Sequence, residues 1–318
     1  MNPKRPNRNV HRFAVFTAVF AFFVLIAGAL VTSNDAGLSV PDWPLSYGSL
    51  FPPMVGGIFY EHGHRMVAAA LGVFSIVLAA WLWRVESRSW LRWLGVAAVG
   101  GVVAQGLLGG LTVKFFLPPA VSSAHATLAQ IFFATIVSIA FFTSVWWDRN
   151  SNAASANAAI VEQNSGAPIH RIAIFTVAAT LLQLMLGAAF RHKAFGIIPH
   201  LIGAVVVTGM IFWLAGTLRR RFANVPALRA GAKGLYALIG VQLILGGAAY
   251  WSRIYGANFP QPIPVTITLT VIHTVTGALV LASTVLVTLA CYRLVGPAGA
   301  EREATTPVPN HNMIASQG

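Results

Sequence analysis

The sequence predicts an all-α integral membrane protein: eight transmembrane helices forming two pseudo-symmetric four-helix bundles, with both termini cytoplasmic. Three observations predict it. Apolar residues make up 56% of the 318-residue chain and charged residues only 9%, where a soluble domain carries roughly a quarter charged. The apolar residues gather in eight blocks of about twenty, the length that crosses a hydrocarbon core of about 30 Å. The first half of the chain also returns, in part, in the second.

The blocks cover residues 13–31, 64–83, 91–113, 125–147, 172–190, 198–218, 235–251 and 265–292. The first follows a basic flank (Lys4, Arg5, Arg8, Arg12), as a signal peptide would. It is long for the apolar region of one and offers no convincing small-x-small cleavage site, so it is expected to stay as a helix. If the N-terminus is cytoplasmic, 16 lysines and arginines fall on the inner side and 5 on the outer. That bias is the positive-inside rule at work. The net charge of +13 therefore sets topology. The basic residues form no stripe of the kind that binds nucleic acid.

The duplication is clearest between residues 11–29 and 170–188, where an offset of 159 gives 8 identities in 19 positions. His11-Arg12 returns as His170-Arg171, and Gly28-Ala29 as Gly187-Ala188. A weaker echo marks every odd block near its outer end: Gly28-Ala29, Gly109-Gly110, Gly187-Ala188 and Gly246-Gly247. Three of these follow a glutamine four residues earlier, Gln105, Gln183 and Gln242. Small residues of this kind let membrane helices pack closely. The expected organisation is an N-terminal bundle over 1–147, a flexible cytoplasmic linker over 148–168, a C-terminal bundle over 169–296 and a disordered tail over 297–318. The single cysteine, Cys291, excludes an intramolecular disulfide and reads as a small buried apolar residue.

Ionisable residues at membrane depth are functional candidates. His64, His125, His200 and His273 open blocks two, four, six and eight, all at one level near the outer face. The residue four positions on is small each time (Ala68, Ala129, Ala204, Gly277), on the same helix face, which leaves room for a flat macrocycle. Counting from His62 instead would put Met66 there, so His64 is preferred to His62. Paired imidazoles across a four-helix bundle are a common way to hold heme iron. Zinc would want a third or fourth close ligand, and beyond Glu61 none is at hand. Two hemes, one per half, is the reading.

Glu61 lies three residues before His64. It suits an oxidation that develops positive charge or activates water, or serves as an acid favoured by a helix N-terminus. Arg65 is a candidate contact for a heme propionate. Arg191, Lys193 and Arg253 are outer cations that could also pair with heme propionates, with interfacial snorkelling as the preferred reading for these three.

The stretch Asn34-Asp35-Ala36-Gly37-Leu38-Ser39-Val40-Pro41-Asp42-Trp43-Pro44-Leu45-Ser46-Tyr47-Gly48, followed by Glu61-His62-Gly63-His64-Arg65, resembles the first outer loop and second helix of heme A synthases. The resemblance extends over nearly the whole chain through helix count, duplication and histidine placement. It implies oxidation of a methyl group of heme O to a formyl group, giving heme A for cytochrome oxidase. It implies a resident heme b on His200 and His273, substrate heme O between His64 and His125, and a catalytic role for Glu61. Expected partners are a heme O synthase, cytochrome oxidase assembly factors and membrane lipid, with location in the cell inner (cytoplasmic) membrane. Many bacterial members carry two cysteines in this loop, where this chain has Val40 and Ser46, so it resembles the cysteine-free branch. The rival is a di-heme b-type cytochrome that only passes electrons, which would need neither Glu61 nor the long loop 32–60. A transporter built from parallel repeats would need polar residues at mid-membrane, which blocks two, four, six and eight lack past their histidines.

Overall fold

The computed structural model describes residues 7–156, 168–261 and 263–295, and its regular elements are helices. They are α1 (Arg8–Ser33), α2 (Gly56–Val85), α3 (Ser89–Lys114), α4 (Pro119–Phe142), α5 (Val145–Ala156), α6 (Ile169–Arg191), α7 (Ile198–Arg221), α8 (Pro226–Gly256) and α9 (Pro264–Leu294). All except α5 are long and apolar enough to cross a membrane. Phe16, Val73, Leu107, Val205 and Ile244 stand exposed along them, as side chains facing lipid do and a water-facing surface does not. The chain is a multi-pass membrane protein.

Each apolar block is a helix, but several helices run past the block that predicted them. Hydropathy marks the part of a helix in hydrocarbon, whereas the helix itself begins where its first turn can be capped. Proline opens α4, α7, α8 and α9, where its missing N–H is no loss. The histidines expected at helix starts consequently lie one or more turns inside α2, α4 and α9, and only His200 is in a first turn.

A second difference lies in the stretch read as a flexible linker. α4 stops at Phe142, Thr143 and Ser144 interrupt it, and α5 continues to Ala156. Residues 157–167 of that stretch, and the tail from 296 on, lie outside the described residues. The carbonyls at the break are covered by basic groups: His11 Nδ1 donates to Ala140 O (3.0 Å) and Arg88 to Phe142 O (3.0 Å). Arg293 donates to Trp147 O at 2.9 and 3.1 Å. His11 and Arg88 thus satisfy carbonyls in the last turn of α4, and Arg293 reaches a carbonyl in the first turn of α5.

α1, α2, α3 and α4 pack in a ring, each against its two neighbours, and α6, α7, α8 and α9 form a second ring. The rings meet through α4 and α9, with α4 also on α6 and α9 also on α1. α9 is the central element, with 67% of its apolar span buried. Each ring has its own apolar core, but neither core runs the full helix length. In the second ring it takes α6 up to Ala173, α7 from Val207, α8 up to Ile239 and α9 from Val280. In the first it takes α2 from Leu71, α3 up to Ala98 and α4 from Phe132. Cys291 is buried in the second core. Both cores fill the end that holds the chain termini. The other end, under the α1–α2 loop, holds the histidines.

Candidate functional site

Each of the four histidines is seated on a glycine of the preceding long helix. A Cβ added to Gly28 would lie 3.0 Å from Cε1 of His64, and one on Gly109 3.4 Å from Cε1 of His125. On Gly187 and Gly246 it would lie 2.9 Å from Cε1 of His200 and His273 respectively. The four glycines have ordinary helical backbone, so space is what requires Gly28, Gly187 and Gly246, while a Cβ at Gly109 would only touch its imidazole. Their regular recurrence, read from sequence as helix packing, is a set of imidazole seats. The small residue one turn after the histidine does something else at Gly277. A Cβ there would meet Leu184 Cδ2 at 3.0 Å and Gln242 Nε2 at 3.2 Å, so this position makes room for neighbouring side chains.

In the second ring the imidazoles of His200 and His273 face each other with centroids 6.3 Å apart and planes at 90°. Metal–imidazole bonds of about 2.0 Å at either end, plus about 1 Å from each nitrogen to its ring centre, predict a separation of about 6 Å. The pair is spaced to share one metal ion. Among the described residues no group of three His, Cys, Asp or Glu could hold a metal ion, so an ion here takes two protein ligands. Iron in a porphyrin, which brings four nitrogens of its own, is satisfied by two axial imidazoles.

A histidine that ligates through Nε2 keeps its proton on Nδ1 and needs an acceptor for it. The carbonyls of Gln105, Gln183 and Gln242 adjoin His125, His200 and His273. Gln183 Nε2 lies 3.0 Å from His200 Nδ1, and its buried Oε1 has no partner. The same Nε2 donates to His200 O (2.9 Å), so the amide is held there as a donor, and the main-chain carbonyl of Gln183 is the acceptor at hand for His200. The buried Nδ1 atoms of His64, His125 and His273 also have no partner. His64 and His125 are within electrostatic reach of one another. The donors and acceptors at both pairs fit a bis-histidine porphyrin.

Glu61, His62 and Arg65 of the Glu61–Arg65 stretch converge on the α1–α2 loop. Glu61 is 4% exposed. One carboxylate oxygen accepts from Val40 N–H (2.8 Å) and the other from Arg65. Arg65 donates further to Asp42 O (2.7 Å), Leu45 O (2.9 Å) and Val40 O (3.5 Å). Four of its five N–H groups are thereby used on the loop and Glu61, and this is where the structure places the residue read as a propionate contact. His62 turns away from His64 and pairs its Nδ1 with Ser46 Oγ at 2.7 Å. Val40 and Ser46 are fully buried, and these two loop positions are fastened by a main-chain N–H and a hydroxyl. Trp43 lies on Gly110 of α3, where a Cβ would come within 2.8 Å of its ring. The loop thus covers the end of the first ring.

Arg191, read as snorkelling, is turned inward. It donates to Ala29 O (2.8 Å) and Ser33 Oγ (2.6 Å) on α1 and to Thr274 Oγ1 (3.5 Å) on α9. His192 follows at the end of α6; burial, then the charge of Arg191, push its imidazole down to about 4. In the sequence Arg191 carries two readings, a propionate contact or a snorkelling cation, and neither places it against α1 and α9. Its one signal was the register Gln183-x3-Gly187-x3-Arg191, which puts all three on one face of α6.

The model of the COX15-CtaA family, described as cytochrome oxidase assembly protein, matches residues 11–57 and 55–198, more than half of the chain. A heme A synthase of Symbiobacterium thermophilum is 30% identical over 261 residues, 72% of this chain and 81% of that protein. Heme A synthases of Halalkalibacterium halodurans and Bacillus licheniformis are 34% and 32% identical, each over 41% of this chain. Those two matches span 45% and 44% of the relative's own length, less than half of it.

Proposed function

The chain belongs to the COX15-CtaA family of cytochrome oxidase assembly proteins, and from that premise we propose that it is a heme A synthase. Net, a methyl group and one water give a formyl group, with four electrons and four protons passing to an external acceptor. Heme O is the substrate, held in the first ring between His64 and His125. His200 and His273 hold a resident heme b, which supplies one-electron transfer when bound.

The observation that carries this reading is the His200–His273 pair, 6.3 Å apart and perpendicular, together with the same glycine-seated histidine on α2 and α4. Among the described residues only the first ring is roofed by a long loop, with the carboxylate of Glu61 fixed beneath it. A covered site beside an acid suits the half where chemistry occurs, and an uncovered pair suits a relay. We assign Glu61 to the chemistry as the acid nearest His64 in sequence, its orientation set by Val40 N–H and Arg65.

The two rings are pseudo-symmetric halves, residues 1–147 and 169–296, and the repeated His-Arg and Gly-Ala pairs support this. The bias of basic residues supports cytoplasmic termini, and hence heme sites near the outer face of the inner membrane. A heme O synthase and cytochrome oxidase assembly factors are the expected neighbours of such an enzyme.

The test is co-expression with a heme O synthase in a host lacking heme A, followed by chromatography of extracted hemes. Heme A is the expected product. A heme-loaded protein that leaves heme O unchanged would support the di-heme cytochrome instead.

A further inference from the structure

Arg191 is a partly buried cation in an unusual setting. Its guanidinium sits where the two rings meet, donating to α1 and α9 through two hydroxyls and one carbonyl. Among the described residues the ion pairs are Arg65–Glu61 and Arg88–Glu86, and none includes Arg191. The charge of Asp35 reaches it and that of Arg253 opposes it. Burying a cation among neutral groups is costly unless an anion joins it. Arg191 is one turn beyond Gly187, the seat of His200, on the same face of α6, and its partner Thr274 directly follows His273. The guanidinium therefore stands at the rim of the second histidine pair, and its planar fork suits a carboxylate.

We propose that Arg191 binds a propionate carboxylate of the heme held by His200 and His273, and thereby sets that heme's reduction potential. The proposal rests on the ligand assignment made above. A cation paired with the propionate offsets negative charge near the iron, favouring the ferrous state. Without it the ferric state gains. Because Arg191 also grips Ala29 and Ser33, next to the seat of His64, the same side chain ties the relay half to the substrate half.

The test uses full-length protein purified in detergent, with potentiometric titration of the heme visible bands and heme content per polypeptide. Arg191→Gln is expected to retain heme and shift the midpoint to more negative potential. Arg191→Lys should fall between, and Ser33→Ala, which removes a neutral partner, should match the wild type. A wild-type potential in heme-loaded Arg191→Gln overturns the proposal. If that variant cannot hold heme, Arg191→Lys decides: heme retained near the wild-type potential supports charge pairing. Loss of heme in the lysine variant as well overturns it, leaving a structural tie between α1 and α6. Failure of the underlying ligand assignment looks different, since His273→Ala would then keep its heme and its spectrum.

Discussion

Gly187 and Gly246 show how one missing side chain serves a ligand on another helix. A methyl there already reaches 2.9 Å from an imidazole carbon, and a branched side chain would push the ring out of line. Gly246→Val is therefore expected to strip heme b from the purified protein with the helices intact. Soret absorbance with unchanged circular dichroism checks it. At Glu61, truncation leaves Val40 N–H and a half-buried guanidinium without their acceptor. Glu61→Ala should loosen the loop by about 1–3 kcal/mol, discounted for the partial exposure of Arg65. It should also abolish heme A formation while bound heme b remains; full activity would remove the acid from the mechanism. Asp42 gives the loop a pH dependence. The N–H of Gly48, then that of Tyr47, together with the charge of Arg65, holds its carboxyl below the usual carboxylate value despite some desolvation. A depressed folded value means a contribution fully present above the unfolded value near 4 and lost as pH falls through the folded one. Hydrogen exchange of the Tyr47 and Gly48 amides should accelerate only in acid, and Asp42→Asn should exchange fast at every pH.

At the scale of elements, the break between α4 and α5 concentrates interactions from three other parts of the chain. Helix-terminal carbonyls need donors, and His11 and Arg88 bring them from α1 and the α2–α3 turn, while Arg293 of α9 donates to Trp147 O in the first turn of α5. Arg88 is itself held by a bidentate contact with Glu86 at 2.9 and 2.8 Å. Removing one such donor costs about 1–2 kcal/mol, so Arg88→Ala and Arg293→Ala should each lower the melting temperature in detergent without changing heme content. The break itself was not legible in the sequence. Phe141 to Trp147 is apolar enough to continue the helix by hydropathy, and only the serine and threonine within it hint otherwise. The start of α2 at Gly56 was likewise hidden, since its first turns lie outside hydrocarbon and give hydropathy nothing to detect.

For the whole molecule, the two rings meet through α4 and α9, and the α1–α2 loop roofs one of them. Topology can be probed directly, because the native Cys291 is buried and leaves introduced thiols to report. An impermeant maleimide is expected to label Ser49→Cys in intact cells and Gly318→Cys only after lysis. The reverse pattern would invert the protein and its sites. The sequence by itself determined the number of spans, the partial duplication and the four histidines at a common register. These depend on block length, charge bias and spacing along one chain. Only the tertiary structure decided that glycines seat imidazoles, that Arg65 serves the loop, and that Arg191 turns into the seam between rings. Membrane helices are apolar on nearly every face, so their sequences leave rotation about the helix axis open. That rotation, fixed by packing against neighbours far along the chain, selects which polar groups meet.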